Sequence, residues 1–140
     1  MEIKKVHIQE MAQLILCKQL CFLNINTGNF EHHPEEIDLF LDEKNPWQEV
    51  IDKIEANTNQ YIRIEPMNAN QSFTVMESFV NQLAHTKFRK KLLAALYQPK
   101  PFRNFNNLIH QSHLRQSWFY FQQEKSIAWV KQQISYQVDE

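Results

Sequence analysis

The stretch Pro101–Trp129, PFRNFNNLIHQSHLRQSWFYFQQEKSIAW, decides the fold of this chain. It holds two of the three tryptophans and four of the ten phenylalanines, with Arg103 and Arg115 set among them and Glu124 as its one acid. Each such ring buries on the order of 150–250 Å² when packed, so a segment this aromatic is expected to form a major part of the core. Phe102, Phe105, Leu108 and Ile109 repeat at helical spacing. After a polar interval the stripe resumes with Leu114, Trp118, Phe121, Ala128 and Ile134. Pro99 and Pro101 stop one helix and start the next. Ser112 or His113 is placed to cap the last helix.

Working toward the N-terminus, Phe88, Leu92, Ala95 and Leu96 mark a helix over 87–97. Phe73, Met76, Phe79, Val80 and Leu83 mark another, with Thr74-Val75-Met76-Glu77 matching a capping box and a start near residue 73. Tyr61-Ile62-Arg63-Ile64-Glu65 alternates and ends at Pro66, the pattern of a strand. Trp47, Val50, Ile51 and Ile54 share a helical face behind Asn45-Pro46, which reads as N-cap and first helical residue. Residues 34–46 are acidic and bounded by prolines, a loop or one turn carrying Ile37, Phe40 and Leu41. Residues 19–25 and 29–33 read as strands joined through Asn26-Thr27-Gly28. There the only glycine of the chain takes the left-handed position of a tight hairpin. Residues 6–16 form an opening helix with Val6, Met11, Leu14 and Ile15 inward.

This order predicts an α+β protein, a small three-stranded antiparallel sheet with a helical C-terminal half, in one domain over 1–140. The hairpin and third strand fall within 18–66 and the helical half within 73–135. A chain of 140 residues buries enough surface for a core without staples.

The single glycine excludes a P-loop, a dinucleotide fingerprint and a nucleophile elbow, each of which needs at least two. No nucleophile with a base in reach, and no paired acid and base, forms a recognisable constellation, so the reading leans away from an enzyme and names no cofactor. His110 and His113 flank Ser112 and read as a polar helix end. Cys17, Cys21, His32 and His33 are a poor zinc set, because adjacent strand residues point to opposite faces. Two cysteines make no disulfide scaffold, so reduced thiols in a cytoplasmic protein are expected, with no membrane span.

Charge is the feature that stands out. Residues 1–84 carry thirteen acids and six bases; residues 85–131 carry nine bases and one acid. Either the basic half is neutralised by the acidic half of its own chain, or it presents an anion-binding face. That face comprises Lys87, Arg89, Lys90, Lys91, Lys100, Arg103 and Arg115. Arg103 and Arg115 also sit beside rings, where stacking would make at least one of them structural. The two helices around Gln98-Pro99-Lys100-Pro101 read as a helical hairpin and not as a DNA-reading helix-turn-helix, since the second is aromatic where base-reading side chains would sit.

Several segments, in order, resemble an uncharacterised bacterial protein family. Phe22-Leu23-Asn24 with Thr27-Gly28 is similar to its "YLD…TG" hairpin, Tyr61-Ile62-Arg63-Ile64 to its "YIEIP" strand, and Met76-Glu77-Ser78-Phe79 to its "MEDF" helix. Leu92–Leu96, Pro101–Phe105 and Leu114–Phe121 resemble its "LL.AL", "AFRRFKD" and "LR.RWY.F" segments. Asn104 stands where the family has Arg, and Asn106 and Asn107 where it has Lys and Asp, which weakens an anion site built on that Arg pair. The acidic segment 34–46 is longer than the resemblance leads one to expect. The resemblance implies a small bacterial cytoplasmic domain with no assigned reaction. The function expected is a non-catalytic module that binds another protein, the alternative being nucleic-acid binding through the basic helices 86–115.

Overall fold

The computed structural model describes residues 3–36 and 45–138. The chain is α+β. In order run α1 (Lys5–Leu16), β1 (Gln19–Asn24), β2 (Phe30–Pro34), α2 (Gln48–Glu55), a 3-10 turn (Thr58–Gln60) and β3 (Tyr61–Ile64). Then come α3 (Ala69–Asn81), α4 (Lys87–Leu96), α5 (Pro101–His110) and α6 (Arg115–Val138). The sequence-based turn at Ile37, Phe40 and Leu41 lies outside the described residues. The chain sorts into two compact units, Met1–Pro66 with Ser126–Glu140, and Met67–Lys125.

The first unit is built on an antiparallel sheet of order β2-β1-β3. Cys21 lies opposite Ile64 and Leu23 opposite Ile62, which puts four apolar side chains on one face. α1 packs against β1. It contributes Met11, Ala12 and Ile15 to a buried cluster with those four and with Val130 of α6. Val6, expected inside, is 49% exposed: it lies a full turn before the first buried residue of the helix. Ser126, buried, donates its hydroxyl to the Ala12 carbonyl at 2.6 Å. Ala128, also expected inside, is exposed. The inward side of this part of α6 runs through Ser126 and Val130 instead, four residues apart on one face.

Because β3 is an edge strand, one row of its backbone groups has no strand partner, and side chains of α6 supply the partners. Gln133 accepts from the Glu65 N–H at 2.8 Å and donates to its carbonyl at 3.0 Å. Trp129 Nε1 donates to the same carbonyl at 2.8 Å, and Gln137 donates to the Arg63 carbonyl at 3.0 Å. In the hairpin the Asn24 carboxamide accepts from the N–H groups of Asn26 and Thr27, and Gly28 takes φ 77°. Lys18, just after α1, takes φ 62° without the freedom of a glycine.

At α2 the structure departs from the expected cap. Asn45 Oδ1 accepts from the Trp47 N–H at 3.0 Å and the Asn45 carbonyl from Gln48 N–H. Asn45 therefore closes a turn ahead of the helix, and Pro46 lies before the first helical residue.

The second unit is helical. α3 starts at Ala69, four residues earlier than the sequence predicts. Its capping box is Asn68 with Gln71, whose side chains and backbone N–H groups bond reciprocally. The Thr74 hydroxyl, expected to cap, donates backward to the Asn70 carbonyl inside the helix. Thr86 caps α4 by accepting from Arg89 N–H. Lys100, held between two prolines, enters α5 at φ 58°. Trp118, 1% exposed, is the centre of the buried cluster. Its ring meets Phe105 at 5.0 Å and Phe79 at 5.2 Å, both near edge-to-face, the arrangement that aromatic quadrupoles favour.

Urea titrations check these placements. Trp118→Ala is expected to lose about 3–5 kcal/mol, whereas Tyr120→Ala, on the exposed side of the same helix, stays within about 0.5 kcal/mol. Gly28→Val is expected to cost about 1–2 kcal/mol and Lys18→Gly to gain up to about 1 kcal/mol, since each changes the Cβ penalty of a left-handed residue.

A candidate anion-binding face on the helical unit

Residues 67–125 carry eight Lys and Arg side chains and two carboxylates, Glu77 and Glu124. Within that unit one-to-one pairing is arithmetically out of reach. Glu77 moreover already accepts the Tyr97 hydroxyl. That hydrogen bond, with some burial and the carboxylate charge, raises the phenol above its ordinary pKa. Among the described residues the ion pairs are Lys53–Glu31 at 2.6 Å and Arg63–Glu65 at 3.0 Å, both in the first unit.

The helical period decides where the cations point. Leu92, Ala95 and Leu96 are the buried residues of α4, so Lys87 and Lys90 emerge on its other side and Lys91 on the flank next to Ala95, all three exposed. In α5, Phe105 and Ile109 are buried and Arg103 is exposed; Lys100 and Arg115 are exposed as well. Arg89 differs from the rest of the predicted set. It is half-buried, and its Nε donates to the Val80 carbonyl in the last turn of α3 at 3.1 Å. A cation on a helix C-terminal carbonyl is a structural bond, so Arg89 leaves the candidate face.

Arg115 stacks over the Phe119 ring at 5.4 Å, and Lys125 over Phe121 at 5.3 Å. Among the described residues these are the cation–ring contacts, so the stacking expected of at least one of Arg103 and Arg115 is found at Arg115.

Between α4 and α5 runs an open groove of about 430 Å³. α4 lines it with Lys91, Ala94, Ala95 and Gln98, and α5 with Asn104, Asn107 and Leu108. Asn104 also donates from its Nδ2 to the Pro99 carbonyl at 3.0 Å, which ties the start of α5 to the turn. Sequence reasoning missed this groove as a site. The sequence marks it only by Asn104 and Asn107, which stand where the resembled family has charged residues, a change that by itself implies weaker anion binding and no groove.

The other candidate clusters disperse. Cys21 is buried in the sheet core, and burial pushes its thiol up to about 12. Cys17 is exposed after α1. His32 lies opposite Cys21 in register, its Nδ1 3.1 Å from Gln19 Oε1. His33 faces the Phe22 ring on the other side of the sheet. Among the described residues no three His, Cys, Asp or Glu side chains converge for a metal ion. Ser112 donates to the Ile109 carbonyl and accepts from Leu114 N–H, so it closes the turn ahead of α6, whose first residue is Arg115, in place of the cap on that helix expected of Ser112 or His113. His110 and His113 lie beside the Phe119 and Phe88 rings. Among the described residues no helix is long and apolar enough to cross a membrane.

An α+β chain whose basic helices carry an open groove is thus the object to place among known proteins. The model of the uncharacterised protein family UPF0158 matches residues 29–138, and the chain belongs to that family. It is similar to the UPF0158 protein PA5073 of Pseudomonas aeruginosa, with 26% identity over 93 residues, covering 66% of this chain and 61% of that protein. The chain therefore spans less than two-thirds of the length of this relative. No solved structure matches it.

Two measurements follow from these placements. In the native protein at pH 8 a thiol reagent is expected to modify Cys17 and to reach Cys21 only after unfolding. Since the folded Cys21 stays protonated while the unfolded thiol ionises near its ordinary value, stability due to this group is full below that value. It declines as pH rises beyond it. Second, Arg89→Met is expected to cost about 1–2 kcal/mol by urea titration, against less than about 0.5 for Lys90→Met.

Proposed function

We propose that this protein is a non-catalytic interaction module of the bacterial cytoplasm that binds an acidic protein partner through the outward face of α4 and α5. The observation that carries this reading is the imbalance of eight cations and two carboxylates in residues 67–125, with Lys87, Lys90, Lys91, Lys100 and Arg103 exposed. A concentration of one sign of charge raises the encounter rate with the opposite sign and selects against like-charged partners. A nucleic-acid partner is the second reading. It is favoured by the same exposed cations, which would neutralise phosphates and release counterions.

The two readings separate by capture from a nuclease-treated host lysate, with the wild type and with Lys87, Lys90 and Lys91 all changed to Glu. A protein held by the wild type, lost by the variant and indifferent to nuclease supports the first reading. Capture that disappears with nuclease, together with direct binding to DNA or RNA that weakens steeply with added salt, replaces it by the second. Equal capture by wild type and variant removes both.

A further inference from the structure

We propose that the groove between α4 and α5 is a binding site for an extended peptide segment bearing carboxylates, which deepens and rests on the reading of the basic face given above. Its chemistry carries the assignment. Among the described residues Lys91 is the only charged side chain lining it, and no carboxylate does. Gln98, Asn104 and Asn107 bring carboxamides, each of which has both a donor and an acceptor. A peptide backbone offers acceptors and donors in alternation and so matches a carboxamide wall. A phosphate backbone only accepts, and would be met by a run of cations. Ala94, Ala95 and Leu108 make the remaining lining small and aliphatic, suited to an aliphatic side chain. Among the described residues no aromatic ring lines the groove to offer a base a stacking surface. Its volume of about 430 Å³ lies in the range of ordinary ligand sites, enough for a short segment and not for a folded partner. The exposed Lys87 and Lys90 lie just beyond Lys91 on the same helix and would extend the attraction for a second carboxylate.

The probe is an acetylated and amidated hexapeptide of alternating Glu and Ala, titrated into the full chain while the side-chain amide resonances of Gln98, Asn104 and Asn107 are followed. Saturable shifts of those resonances are expected. Affinity should fall at least about tenfold in Lys91→Glu, in Asn107→Asp and in Ala94→Trp, which fills the groove from an exposed position. Lys131→Glu, in the other unit, should bind within about twofold of wild type, and the peptide with Gln for Glu should bind at least about fivefold more weakly. Retained dispersion of the Trp118 and Phe105 resonances confirms that each variant is folded. The proposal is overturned if the peptide moves none of these resonances, if Ala94→Trp binds it unchanged, or if an oligothymidylate of equal length moves them and the peptide does not. Loss of partner capture in the triple Glu variant with full capture in Ala94→Trp would also overturn it, while leaving the wider role of the basic face intact.

Discussion

Trp118 packed edge-on between Phe105 and Phe79 is the contact from which the helical unit takes its form. Once that ring is enclosed, the inward sides of α3, α5 and α6 are fixed, and α4 closes on them with Leu92 and Leu96, with Ala95 buried beside these. Helical period does the rest. A helix that commits these three residues inward must carry Lys87, Lys90 and Lys91 outward, whatever the charge density this creates. The outward charge is thus a by-product of core geometry that the sequence has left unneutralised within the unit, and a surface with that cost in self-repulsion is a reasonable place for a partner.

The first unit solves a different problem. A three-stranded sheet has two edges, and a bare edge invites pairing with another chain. Carboxamides are well suited to guarding one, since a single Gln133 side chain can both accept from and donate to the backbone of Glu65. Trp129 and Gln137 add further bonds from the same helix. This guard also explains why the last turns of α6 are rich in glutamine where a purely apolar stripe would be the simpler design.

Much of this was legible in the chain. Alternation at Tyr61–Ile64, the Thr-Gly turn and the helical repeats around Trp118 each declare an element by its period, and the family resemblance agrees with the membership now found. The misses have physical causes. Asn68-Ala69-Asn70-Gln71 is polar and reads as a connection, yet Asn68 and Gln71 form the better capping box, so α3 begins there and Thr74 is left inside the helix. Ala128 fits a stripe by count, but Ser126 bonds to Ala12 and turns that stretch of α6 to another face. Arg89, three residues before Leu92 and seven before Leu96, falls by period on the inward side of α4 where Lys90 does not; what the period leaves unread is the Val80 carbonyl that it meets there. A groove between two helices depends on how they pack side by side, which no pattern along one helix records.

The claim on which the functional account stands is that Lys87, Lys90, Lys91 and Arg103, exposed on α4 and α5, are not neutralised by carboxylates of the same chain. The melting temperature of Lys90→Glu compared with wild type, at about 20 mM and about 300 mM salt, tests it directly. Relief of repulsion predicts that the variant melts higher at low salt and that the difference fades as salt screens it. A variant that melts lower at low salt would mean that Lys90 is paired with a carboxylate of its own chain, and would contradict the account.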